Sequence, residues 1–333
     1  MIIELIEAHL EWKQLNQGRS ANTARQYRGH LLRLVDYCQE IQRDPLAVSR
    51  DDLEVFTGLY LHKKGLSPVA RQTVVAAVRG FYQWLVRAGQ LQTNPAAQVP
   101  YPKRAKKLPV PLALDAAQAL MWAPDMSTFL GVRDAAILAV LIGCGLRVTG
   151  LVSLNESDLR PHREDGQDKL ILRVTEKGEK DRYLPIPDEA SLLLRAYLGH
   201  EELDGIDRAL PSGDRVLFVS TRNHNVAPHQ YYGEKRRISV YLVKDIILKY
   251  GTPLGIPRDQ LHPHAFRHLY GKELAEADVD ILTRQALMGH EDPKSTEIYS
   301  HLALRKLAGA VDRANPLAKI KTPVTELLQS LKR

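Results

Sequence analysis

Cysteine is nearly absent from this chain: 333 residues hold only Cys38 and Cys144. Both stand in helical, mostly apolar contexts, which excludes a disulfide framework and fits small core residues in a reducing compartment. No apolar run reaches the roughly 20 residues that a membrane-spanning helix needs, so no membrane segment is expected. The opening MIIELIEAHLEWKQL lacks the basic start and cleavage site of a signal peptide and carries Glu4, Glu7 and Glu11. The expected location is the cytoplasm. There is also no internal repeat and no low-complexity segment, which excludes a repeat architecture.

What is present fits a globular protein of two domains. Hydrophobic residues make up 44% of the chain, enough for real cores. The net charge of +7 is unevenly placed. Through Lys107 there are 16 Lys and Arg against 9 Asp and Glu, whereas the remainder holds 30 of each. The first third therefore carries the whole positive excess. A solvated basic face would account for it, and so would a module that binds a polyanion, most simply nucleic acid.

Helical spacing recurs through residues 1–93: over IIELIEAHLEWKQL, over NTARQYRGHLLRLVDYCQEI with Ser20 or Asn22 as cap, and over LEVFTGLYLHKK behind a Ser49–Asp52 capping box. A fourth helix follows Ser67, with Pro68 at its first position and Gly89 as its stop. The stretch 94–113 contains NPAAQVPYPKRAKKLPVP, whose prolines forbid a continuous helix and whose basic residues include Lys103, Arg104, Lys106 and Lys107. It reads as a domain linker able to cross a phosphate backbone. Residues 114–314 are mixed. Helices are expected over 115–122, 132–142, 146–153, 188–199, 234–250, from Pro263, over 280–288 and briefly after Pro293. Strands are expected at KLILRVT, DRYLPI and VLFV, the first two forming a hairpin. The tail 315–333 has Thr322 as cap, Pro323 next, and an apolar stripe of Val324, Leu327, Leu328 and Leu331. So short a helix is marginal alone in water, so its stripe docks either on its own chain or on a neighbouring copy.

Four places carry candidate chemistry: Arg147 in GCGLRVTGL, Lys177 in the hairpin TEKGEKDR, His264 and Arg267 in HPHAFRH, and His290 with Tyr299 in LMGHEDPKSTEIYSHL. Guanidinium forks match phosphate oxygens and keep their charge. A lysine can protonate a leaving alkoxide, a histidine can take the proton of an attacking hydroxyl, and a phenol can attack phosphorus. Tyr299 lies in a polar stretch, as it must if a phosphate is to reach it. Histidines alone, without a Cys or Glu partner set, do not make a zinc site, so no metal is expected.

The order Arg, hairpin Lys, His-x-x-Arg, Gly-His and then Tyr nine residues on resembles the tyrosine recombinases of the phage-integrase and Xer type, over nearly the whole chain. The resemblance implies a mainly α protein with a small antiparallel β-sheet. Its parts would be a helical SAM-like core-binding domain (1–93), the basic linker (94–113), an α+β catalytic domain (114–314) and a tail (315–333) that docks on a neighbouring protomer. It implies site-specific cleavage and rejoining of duplex DNA through a 3′-phosphotyrosine, with no cofactor, metal or ATP. The assembly would be a tetramer of this chain, or of it and a partner recombinase, on paired half-sites at the bacterial nucleoid, each subunit a C-shaped clamp on the duplex. Catalysis would fall to Arg147, Lys177, His264, Arg267, His290 and the nucleophile Tyr299. DNA contacts would come from Lys103, Arg104, Lys106 and Lys107, with Arg71 and Arg25 added from the helical domain. Lys180 is a second lysine in the hairpin. One departure stands out: Gly150 takes the place where the family usually has an acidic residue, three positions after the first arginine. A type IB topoisomerase shares this chemistry, and a non-catalytic DNA-binding regulator is the reading from a different class.

Overall fold

The computed structural model describes residues 1–103, 110–164, 167–176, 180–289 and 301–327. The chain divides into two units, Met1–Lys107 and Leu108–Arg333. Each is mainly helical, and the second carries a three-stranded antiparallel sheet.

In the first unit, side chains set the helix starts. Helix α1 is Ile2–Gln17, and α2 is Ala21–Glu40, where Ser20 Oγ accepts from Thr23 N at 3.3 Å and so is the cap. Helix α3 (Arg50–Val55) opens on the reciprocal pair Asp52 N to Ser49 Oγ and Ser49 N to Asp52 Oδ2. Its continuation is interrupted: Phe56–Tyr60 forms a π-turn before α4 (Leu61–Lys63). Two side chains compete for the carbonyls there, Thr57 Oγ1 at Leu53 O and Arg71 Nη1 at Gly58 O, which is the usual cause of such a break. Helix α5 (Pro68–Arg87) starts at Ser67 as the sequence indicates. Leu31, Leu34, Phe56, Val74, Val78, Phe81 and Tyr82 form the core between these helices.

The linker expected over 94–113 is shorter at both ends. Ala96 and Val99 join the helical core. Gln72 Nε2 donates to Pro102 O at 2.8 Å, Arg79 donates to Val99 O, and the Arg79 guanidinium lies over the Tyr101 ring. At the other end Leu112 belongs to the second core and its N–H reaches Ala265 O.

The second unit comprises α6 (Leu114–Trp122), α7 (Phe129–Cys144), α8 (Val148–Ser153), β1 (Leu159–Glu164), β2 (Gln167–Glu176), β3 (Lys180–Pro185), α9 (Asp188–Leu198), α10 (Glu201–Asp204), α11 (Val240–Gly251), α12 (Pro263–Glu276), α13 (Ile281–Met288) and α14 (His301–Ala314). Helix α7 is buried almost throughout and packs against α9 and α12. Its two charges, Arg133 and Asp134, satisfy each other, while Asp134 Oδ2 accepts from Tyr250 at 2.9 Å. A buried ion left unpaired here would cost several kcal/mol.

Five elements differ from expectation, two of them, α10 and α14, being helices that the expected set lacks. Strand β1, sequence LRPHRE, pairs with β2 from Leu159↔Leu172 to Glu164↔Gln167. It is an edge strand, where Pro161 is tolerated and apolar alternation is not needed. VLFV is buried but makes only single bridges, Val216 with Asn155 and Val219 with Arg237. The helix expected over 234–250 starts at Val240, because Ser239 caps Leu242 N; a 3₁₀ turn occupies Gly233–Arg236. The short helix after Pro293 lies outside the described residues.

The described part of the tail packs on its own chain. A 3₁₀ turn, Pro316–Lys319, sets Leu317 so close to Gly143 that a methyl group at 143 would come within 2.7 Å of Leu317 Cδ1. Lys319 pairs with the fully buried Glu273 of α12. Trp122 Nε1 donates to Lys321 O, and Lys321 N donates to Gln118 Oε1. Ile320 and Val324 complete the core there. Of the segment expected to dock on a neighbour, residues 317–324 are thus taken up in cis; Leu327 is exposed, and Leu328 and Leu331 lie outside the described residues.

One buried group makes the helical unit acid-sensitive. His9 is fully buried between Phe81 and Trp84 with no hydrogen-bond partner for either ring nitrogen. Burial first, and the Lys13 charge second, lower its pKa to about 4. The unfolded chain, with an ordinary histidine, therefore binds more protons between that value and about 6.5, so stability falls as pH falls through this window. Urea unfolding followed by tryptophan fluorescence should lose roughly 2–3 kcal/mol from this group between pH 7 and pH 4.5, a loss that His9→Leu removes. An unchanged pH slope in that variant would count against the assignment.

Candidate active site

The site in the second unit is organised by three chain reversals. The first is the end of α7. Gly145 adopts the left-handed conformation, φ 57°, and the Tyr270 ring packs on it so closely that a Cβ would lie 2.3 Å from Tyr270 Cδ1. Only glycine meets both demands. The chain then turns at buried Leu146, and Arg147 is the N-cap residue of α8.

The second is the start of α12. His262 Nδ1 accepts from Ala265 N and Pro263 occupies the first position. His264 and Arg267 follow on one face, the arginine buried and the histidine open to solvent. Partial desolvation, then the nearby His262, His268, Arg267 and Arg147, lower the His264 pKa below its ordinary value. The ring is therefore neutral at neutral pH and can accept a proton.

The third is the end of α13, capped at its start by Asp280 on Thr283 N and closed by Gly289 at φ 58°. Here three arginines meet three consecutive carbonyls. Arg182 Nη1 donates to Leu287 O at 2.7 Å, Arg267 Nη2 donates to Met288 O, and Arg147 Nη2 donates to Gly289 O at 2.9 Å. Arg267 Nη1 also donates to Gly145 O at 2.8 Å, tying the first reversal to the third. The C-terminal end of a helix is where cations are favoured. The structure thus brings Arg147, His264 and Arg267 into one cluster, immediately before His290 in the sequence.

Lys177, His290 and Tyr299 lie outside the described residues. Lys177 falls between Glu176 and Lys180, which pair across β2 and β3. Of the DNA-contact candidates, Lys103 and Arg25 are exposed, and Arg71 is half-buried on Gly58 O; Arg104, Lys106 and Lys107 lie outside the described residues. Gly150 sits where α8 meets β2, and a Cβ there would be 3.3 Å from Val174 Cγ1. Helix and sheet approach closely there, so a side chain at 150 would require Val174 to shift slightly, and position 150 supplies no carboxylate to Arg147.

No motif marks Arg182. Its signal lies in the period-2 pattern of β3: it shares a face with Leu184, opposite Val174, and both it and Leu184 are buried. A charged residue at an inward strand position needs a partner, and the sequence does not name one.

The model of the Phage integrase family matches residues 111–305, and that of the Phage integrase, N-terminal SAM-like domain matches residues 6–89. Tyrosine recombinase XerD of Listeria monocytogenes is 31% identical over 318 residues, covering 95% of this chain and 99% of that one. Tyrosine recombinase XerC of Chromobacterium violaceum is 34% identical over 304 residues, 91% of each. Among solved structures, the fold resembles XerH site-specific recombinase in a post-cleavage complex with palindromic difH substrate, with a TM-score of 0.63, 16% identity, and coverage of 86% of this chain and 78% of that one. It also resembles lambda integrase(75-356) bound as a dimer to a COC' core site, with a TM-score of 0.62, 14% identity, and coverage of 87% and 95%.

Because position 145 combines positive φ with ring contact, Gly145→Ala should destabilise the second unit by about 3 kcal/mol. The corresponding thermal shift is roughly 6–12 °C. A melting temperature within a degree of the parent would contradict this account of the α7 terminus.

Proposed function

Since the chain belongs to the phage integrase family and is a Xer-like tyrosine site-specific recombinase, we propose that Arg147 and Arg267 clamp the scissile phosphate while Tyr299 attacks it. The observation that carries this reading is the pair of guanidinium groups held on adjacent carbonyls, Met288 and Gly289, with His264 beside them. The fork geometry of arginine suits the two non-bridging oxygens, whose charge grows in the transition state.

The steps balance without cofactor, metal or ATP. The Tyr299 phenol oxygen forms a bond to phosphorus, and the bond to the 5′ oxygen breaks. His264, neutral at the start, takes the phenolic proton. Lys177 gives a proton to the departing 5′ oxygen, and His290 hydrogen-bonds the phosphate as it reacts. The 3′-phosphotyrosine keeps the energy of the broken bond, so attack by a new 5′ hydroxyl reverses the step on another strand.

The substrate is duplex DNA bearing paired half-sites, acted on by a tetramer of this chain or by this chain with a related recombinase, in the cytoplasm at the nucleoid. DNA-bound XerH and the DNA-bound lambda integrase dimer, both of this fold, support that choice. The basic excess of the first third supplies phosphate contacts through Lys103, Arg104, Lys106 and Lys107, with Arg25 and Arg71 as further contacts, so affinity falls steeply with salt. With residues 317–324 held in cis, docking on a neighbouring protomer falls to the segment from Leu327 onward.

A duplex nicked near the cleavage point traps the covalent intermediate and tests the assignment. The parent chain should give a protein–DNA adduct, and Tyr299→Phe none, at equal DNA affinity; an adduct persisting in the variant overturns the nucleophile. Strand exchange between two duplexes separates recombination from simple relaxation. Because the His264 pKa lies below its ordinary value, adduct formation should hold as pH drops through about 6.5 and decline only below it. A decline that begins well above that point argues against His264 as the proton acceptor.

A further inference from the structure

Resting on the reading that Arg147 and Arg267 hold the scissile phosphate, we propose that Arg182 is a positioning residue of the same site: through Leu287 O it fixes the last turn of α13, on which both phosphate-binding arginines lean.

The contact is short and enclosed. Arg182 Nη1 to Leu287 O is 2.7 Å, and the side chain is only 5% exposed. Arg182 reaches α13 from the inward face of β3, in register with Val174 and on the same side as Leu184. Its charge is felt by Cys144 at the end of α7 and by Tyr270 in α12, the ring that packs on Gly145. The guanidinium thus lies among the elements that carry Arg147 and Arg267.

Stability alone does not account for an arginine here. Burying a charge is expensive, and an apolar side chain of similar volume often stabilises a core equally well or better. The gain lies in where the donor points. Leu287, Met288 and Gly289 are consecutive, so their carbonyls sit on rigid peptide units joined through shared Cα atoms in one short turn. Arg267 and Arg147 bind the second and third of these carbonyls. Release of the first lets the turn shift, and with it the spacing of the two guanidinium groups. A misplacement of about 1 Å at a reacting centre can cost on the order of 10²-fold in rate.

The test uses the full chain and the nicked duplex, with adduct formation followed in single turnover at saturating enzyme. Arg182→Met removes the donor and keeps the volume; Arg182→Lys keeps a cationic donor. The Met variant should bind DNA within about threefold of the parent and cleave roughly 100-fold more slowly, and the Lys variant should return to within about tenfold of the parent. Cleavage by the Met variant within about threefold of the parent overturns the proposal. So does a Lys variant as impaired as the Met variant, because a cationic donor would then restore nothing. If thermal melting shows that Arg182→Met does not fold, Arg182→Gln, a neutral donor on a shorter stem, takes its place: cleavage slowed at least about tenfold supports the proposal, and cleavage within about threefold of the parent overturns it. Failure of the parent itself to form an adduct would overturn the underlying reading of the site, a result distinct from all of these.

Discussion

Everything in the second unit converges on one physical arrangement, three cationic forks held by the carbonyls that close α13. Guanidinium groups repel one another, and none of them can shed its charge. A helix C-terminus offers unsatisfied carbonyls and the negative end of a dipole at the same point, so it gathers like charges that would otherwise disperse. A hydrogen bond from a charged donor contributes roughly 1.5–3 kcal/mol net. Each arginine arrives from a different element: the start of α8, strand β3 and helix α12. Their mutual spacing is thereby referred to a single backbone turn.

Much of this was legible in the amino-acid order, and the unreadable part has a physical reason. Helix starts are local events, so Ser49 and Ser67 announce themselves and the choice at α2 narrows to Ser20 or Asn22, of which Ser20 is the cap. His264 and Arg267 share a face by spacing alone. The partner of Arg147 could not be read, because Gly289 O belongs to the backbone and every residue has one. Strand β1 was hidden for a related reason: as an edge it carries LRPHRE and shows no apolar alternation. VLFV misled in the opposite sense, since a short apolar run signals burial but not a ladder. Among the described residues no helix is long and apolar enough to cross a membrane, in line with the lack of long apolar runs.

The Pro-rich stretch after the first unit carries a similar lesson. Its prolines do exclude helix, yet extended chain is not free chain. Ala96 and Val99 are buried, and Arg79 spans the segment from a carbonyl to the face of Tyr101. Lys103, which follows Pro102, therefore starts from an anchored point, with less conformational freedom left to lose than a free linker has.

The tail adds a matter of timing. Leu317 fills the notch at Gly143, and Lys319 neutralises the carboxylate enclosed in α12. These residues are made after every element they support. On the ribosome, the residues of α7 and α12 are made first, and the notch at Gly143 and Oε2 of Glu273 meet their partners only when Leu317 and Lys319 follow.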